Sequence, residues 1–181
     1  SVLASLAVGL MSLCALSGKM RWTWTCRCAS GSSIMTRWTG GGEPFSYENL
    51  EEAAKHFVDA GLNVRVLTNG VNVPRERFEK ILSYGVKNFS ISLDSLYPAR
   101  FDYICEVEGS WDSAVRNMTF LAERLQGSGG LLVMNTVVSS LNLEECPDIV
   151  RFAKEIGFAV SFLPIELLAD PKAGVRNWEA R

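Results

Sequence analysis

The sequence predicts an α/β domain in which a parallel sheet is covered by helices, and three observations carry that prediction. From Thr39 onward, segments with apolar residues spaced by three and four alternate with short β-rich runs. Three of the helical segments stop at a glycine and enter a strand within a few residues, in "DAGLNVRV", "SYGVKNFSI" and "EIGFAVSF". The strand segments read as near-continuous apolar runs, which imply a parallel sheet covered by helices.

The elements follow in order. Residues 38 to 54 read "WTGGGEPFSYENLEEAA": three glycines and a Glu-Pro step lead into a helix carried by Tyr47, Leu50, Ala54, Phe57 and Val58. A strand follows at Val64 to Thr68, then a helix through Phe78, Ile81 and Leu82 with Pro74 at its first turn. The next strand covers Asn88 to Asp94. Ser110 is the expected N-cap of a helix through Trp111, Val115, Met118, Leu121, Ala122 and Leu125. Leu131 to Val138 is a strand, Ile149, Val150, Ala153 and Ile156 mark a helix, and Ala159 to Ile165 is the last strand. Apart from "GSGG" at 127 to 130 there is no low-complexity tract, and no internal linker is visible.

Composition bounds the function. The chain has 181 residues, 48% of them hydrophobic, enough for one domain with a substantial core. A formal net charge of −2 argues against a large phosphate-neutralising surface, so no nucleic-acid partner is expected. Five cysteines at 14, 26, 28, 105 and 146 form no secreted disulfide framework, and a reducing cytoplasm is the expected compartment.

The charges divide the chain near Trp38. All 20 acidic residues lie from Glu43 onward, whereas residues 1 to 38 carry Lys19, Arg21, Arg27 and Arg37 and three of the five tryptophans. The run "VLASLAVGLMSLCAL" is short for a membrane span, and its positive charges follow it rather than precede it as in a signal peptide. Residues 1 to 38 are therefore set apart as an aberrant or poorly ordered segment, with the composition of a translation in the wrong frame or of an export segment. Residues 39 to 181 form the expected core, and no membrane partner is assigned to it.

Parallel α/β domains, barrel or open sheet alike, place their chemistry on loops at the C-terminal ends of strands. That rule selects "TGGGEP", "TNG" (68 to 70), "SLDS" (92 to 95), "NTVVSS" (135 to 140) and "LPIE" (163 to 166). Each alone has a plain structural reading. A glycine run is commonly a flexible turn, "TNG" is a turn, and "SLDS" is a strand end with a cap. The sole histidine, His56, reads as a boundary residue of a helix and removes His-based triads from consideration. Cys105 and Cys146 read as ordinary buried or boundary residues.

Together and in this order, "GGEP", "VLTNG", "SISLDS", "MNTVV" and "SFLPIE" resemble the radical S-adenosylmethionine enzymes, in the branch around the molybdenum-cofactor biosynthesis and peptide-maturing enzymes. The resemblance covers about Thr39 to Ile165. It implies a partial parallel (β/α)6 TIM-like barrel, whose usual first strand is unrecognisable here, and reductive cleavage of S-adenosylmethionine at a [4Fe-4S] cluster. The resulting 5′-deoxyadenosyl radical abstracts hydrogen from a substrate that the sequence does not name, with an electron donor such as flavodoxin or ferredoxin implied. The same resemblance places Gly41, Gly42 and Glu43 at the cofactor's amino group, Ser92 and Asp94 near its ribose hydroxyls, Asn135 near the ribose or carboxylate, and Leu163 near the adenine.

The family's CxxxCxxC cluster motif is absent. Cys14, Cys26 and Cys28 precede the glycine run at other spacings, so no metal ligand is assigned and no catalytic residue is named. The expectation is a radical enzyme core that does not assemble a cluster as it stands, a fragment of a longer enzyme whose beginning is out of frame. The alternative is a cluster-free descendant that binds a nucleotide-like ligand or a partner. A phosphate-binding barrel isomerase or aldolase is a third reading, for which no strand-end Lys or His is evident.

Overall fold

The computed structural model describes residues 35–38 and 42–164. Five strands, β1 (Met35–Trp38), β2 (Asn63–Thr68), β3 (Asn88–Ser92), β4 (Leu132–Val138) and β5 (Ala159–Pro164), form one sheet. Every neighbouring pair is parallel and the spatial order equals the sequence order. The helices are α1 (Leu50–Asp59), α2 (Arg75–Ser83), α3 (Pro98–Cys105), α4 (Ser110–Leu125) and α5 (Cys146–Glu155). Crossovers between parallel strands are right-handed, so a sheet that never reverses its order sends every connection over the same face. This is the arrangement of a parallel α/β barrel cut open along its axis.

The strands show the consequence. On the covered face lie Val64, Val66 and Thr68, then Phe89 and Ile91, then Leu132, Met134 and Thr136, all buried. Phe78 of α2 sets its ring against Phe89 at 6.0 Å and near-perpendicular, and against Phe45 at 4.7 Å. The opposite face carries Ser90, Ser92, Asn135 and Ser161 among Leu67, Val133 and Leu163. Only one face meets helices, and the serines and asparagine within the strands mark the other, where Arg65 and Ser90 are nonetheless buried.

Other boundaries shift for local reasons. The strand leading into the glycine run, β1, lies inside the segment set apart by composition, so the sheet extends across the Trp38 boundary. Pro74, expected as the first helical residue, stands at the N-cap of α2 with φ −62°. Ser110 is not the cap of α4 but its first residue, because the Asp102 carboxylate of α3 caps that terminus, accepting the N–H groups of Gly109 at 2.8 Å and Trp111 at 2.9 Å. Helix α3 has no stripe to read in the sequence, since Phe101 is its one buried residue. Gly61, Gly85 and Gly157 end their helices at φ 77°, 92° and 82°, as expected. Among the described residues no helix is long and apolar enough to cross a membrane.

Candidate cofactor site

The site is built from the C-terminal ends of β1 to β5. After β1 the chain passes Gly42 at φ 153°, a region that side-chain-bearing residues rarely adopt. Among the described residues a Cβ there would meet nothing within 4 Å, so conformation rather than crowding by them demands glycine. Gly41 lies outside the described residues.

Glu43 turns toward the neighbouring strand. Its Oε1 accepts the Thr68 hydroxyl at 2.5 Å and the Phe45 N–H at 3.1 Å, and its Oε2 accepts the Asn69 N–H at 2.8 Å. Three donors from the chain thus occupy the carboxylate, which holds the "GGEP" turn and the "TNG" turn at a fixed separation. A carboxylate offers about four acceptor positions, so one remains for a further donor.

Two braces hold these turns from behind. Arg77 of α2 grips Glu51 of α1 in a two-pronged ion pair at 2.6 and 3.0 Å and donates to the carbonyls of Phe45 and of Tyr47, the latter at 2.8 Å. The Glu51 partner holds the Arg77 pKa above its ordinary value. Asn117 of α4 donates to the carbonyls of Gly70 at 2.8 Å and Val73 at 3.3 Å, while the Ser113 hydroxyl accepts the Asn72 N–H. Gly70, at φ 67°, lies so close to Ile91 that a Cβ would stand 3.1 Å from its side chain.

Further along the rim, Ser92, Asn135 and Ser161 occupy one register row on the face without helices, on strands roughly 4.8 Å apart. None of these three side chains hydrogen-bonds to another described residue. Beyond that row the Leu93 N–H still donates to the Asn135 carbonyl at 2.9 Å, and after it side chains take over the ladder. Thr136 donates its hydroxyl to the Leu93 carbonyl at 2.8 Å, and Asp94 Oδ1 accepts the Val137 N–H at 2.7 Å. Burial pushes the Asp94 pKa up, and the Val137 N–H partly opposes that shift. Leu163 pairs with Val137 in the ladder and is exposed.

The arrangement brings Gly42 and Glu43 to one strand end, and Ser92, Asp94, Asn135 and Leu163 to the adjoining ones. It adds residues the sequence did not single out. Thr68 and Asn69 were legible only as a turn; Arg77, Asn117, Asn142 and Glu145 gave no signal, because ordinary polar residues on helices and loops acquire meaning only from partners 25 to 50 positions away. Ser161 could have been found by counting strand alternation.

The Radical SAM superfamily profile matches residues 36–153. The chain belongs to the radical SAM superfamily. It is 32% identical over 117 residues to an AdoMet-dependent heme synthase of Methanosarcina barkeri, covering 65% of this chain and 32% of the relative. It is 30% identical over 129 residues to a GTP 3',8-cyclase 1 of Mycobacterium tuberculosis, covering 68% and 35%. The radical SAM chain thus spans about a third of the length of these curated relatives. Streptococcus suis SuiB bound to S-adenosylmethionine shares the fold, with a TM-score of 0.59 and 17% identity over 76% of this chain and 30% of that one.

The rim offers room and polar groups to a ligand. Among the described residues nothing stands within 4 Å of a Cβ at Gly42, and hydroxyl and amide groups without described partners line the adjoining strand ends. Among the described residues no group of three or more His, Cys, Asp or Glu could hold a metal ion. Burial pushes the Cys105 thiol up to about 11, the direction opposite to that of a ligand thiolate. Cys14, Cys26 and Cys28 lie outside the described residues.

Proposed function

We propose that this radical SAM chain is the S-adenosylmethionine-binding part of a radical enzyme core, with Gly41, Gly42, Glu43, Ser92, Asp94, Asn135 and Leu163 as its binding residues. The observation that supports it best is the joining of two rows at one edge of the sheet. Glu43 ties the glycine turn to Thr68 and Asn69, and the Ser92–Asn135 row continues the same rim. Carbonyls of the glycine turn accept the methionyl ammonium, and the serine, aspartate and asparagine exchange hydrogen bonds with hydroxyls and carboxylate. The helices behind the sheet and the braces of Arg77 and Asn117 keep those groups in place before the ligand arrives. Bound there, S-adenosylmethionine supplies the 5′-deoxyadenosyl group for hydrogen abstraction from the substrate.

The family's reaction at a [4Fe-4S] cluster, its electron donor such as flavodoxin or ferredoxin, and a cytoplasmic setting belong to this reading of the whole protein. Calorimetric titration of the chain with S-adenosylmethionine tests the binding step. Ser92→Ala and Asn135→Ala are each expected to weaken binding about five- to ten-fold, the loss of roughly one hydrogen bond. Affinity unaltered in both would remove the row from the site.

A further inference from the structure

The connection between β4 and α5 carries none of the proposed ligand-facing residues, yet it grips the loop that does. Glu145, at the start of α5, is buried and accepts three donors from the loop after β3 and from α3. These are the Ser95 hydroxyl, shared between its two oxygens at 3.0 and 2.9 Å, the Leu96 N–H at 2.8 Å, and the Arg100 guanidinium in an ion pair. The Ser95 hydroxyl also accepts the Tyr97 N–H at 3.1 Å. Three residues earlier, Asn142 is equally buried and donates to the carbonyls of Asp94 at 2.6 Å and Val137 at 2.8 Å, while its own carbonyl accepts the Ser139 N–H.

We infer that Glu145 is a positioning residue for the cofactor site: with Arg100 and Asn142 it locks the two loops into one unit and so fixes Asp94 between β3 and β4. The inference rests on the proposed role of Asp94. Its reason is geometric. The last backbone bond between these strands runs from the Leu93 N–H to the Asn135 carbonyl at 2.9 Å, and past it the Asp94 carboxylate takes the place of a strand carbonyl for Val137. Among the described residues no backbone bond between β3 and β4 follows that of Leu93, and the carboxylate of Glu145 supplies the anchor one residue beyond Asp94 through Ser95 and Leu96. A side chain 50 positions away in sequence therefore sets where the β3 loop stands.

Two variants test it on the intact chain. Glu145→Gln keeps an acceptor for Leu96 but turns an amide toward Arg100, and Arg100→Met removes the cation from a more exposed position. Hydrogen exchange is read at the Val137 and Leu96 amides, with the core amides of Val66 and Phe89 as internal references. Both variants are expected to speed exchange at Val137 and Leu96 by about ten-fold more than at the references, as local opening does. Titration with S-adenosylmethionine is expected to show affinity weakened about five-fold in both. Equal acceleration at all four amides, or none at Val137, overturns the positioning role. If the wild-type chain binds no S-adenosylmethionine, the proposed function fails while the exchange data still decide the loop lock. Binding that is unchanged in variants with a loosened Val137 overturns the link to the site.

Discussion

The carboxylate of Glu43 bridges to the Thr68 hydroxyl at 2.5 Å, so the ends of β1 and β2 are joined by a side chain just where their backbone ladder has stopped. A residue that looks ligand-directed in the sequence is therefore also a clamp. Glu43→Ala is expected to lower stability as well as S-adenosylmethionine affinity, because it strands the Thr68 hydroxyl and the Asn69 N–H together. The expected loss in urea unfolding is about 1.5 to 3 kcal/mol. Stability equal to wild type, with affinity reduced, would show that the clamp contributes nothing to the fold.

Arg77 serves the same turn from outside. Arg77→Ala leaves the Glu51 carboxylate, 3% exposed, without its cation and frees two carbonyls of the turn. Breaking such a pair from one side costs about 3 to 5 kcal/mol. Arg77→Ala with Glu51→Gln should recover part of that loss, since the uncompensated charge goes with it. A double variant no more stable than the single one would assign the effect to the carbonyl contacts instead.

Asp94 gives the chain a signed pH dependence. Its pKa is raised above the ordinary 3.8 by burial, so the folded state holds the proton more tightly than the unfolded chain does. Its contribution to stability therefore falls as pH rises from the ordinary value through the raised one, then levels off. Asp94→Asn, which keeps a carbonyl for the Val137 N–H, should gain stability relative to wild type as pH rises above the ordinary 3.8. A difference between the two proteins that does not change with pH would refute the shift.

The chain as it stands is predicted not to assemble a [4Fe-4S] cluster. Anaerobic reconstitution with iron and sulfide, followed by dithionite and an assay for 5′-deoxyadenosine, gives the measurement. Product above that of a triple Cys14, Cys26 and Cys28→Ala control would show that these cysteines are ligands. Binding of S-adenosylmethionine without cleavage or iron would fit a cluster-free descendant that retains the cofactor rim.

The sequence by itself determined the order of strands and helices, since hydrophobic period and glycine stops are local properties recorded residue by residue. It also determined which strand ends to inspect, and their "GGEP", "TNG" and "SLDS" motifs led to the family. Only the tertiary structure decided that one face of the sheet is free of helices, which turned Ser92, Asn135 and Ser161 from interruptions of apolar strands into a single row. It alone revealed that Asp102 caps a helix in place of Ser110, that Glu43 is occupied by Thr68 and Asn69, and that Glu145 holds the β3 loop. The reason is common to all of these. A carboxylate's role depends on which donors the fold brings within 3 Å of it, and for Glu43 and Glu145 those donors lie 25 to 50 residues away, where no local pattern can announce them.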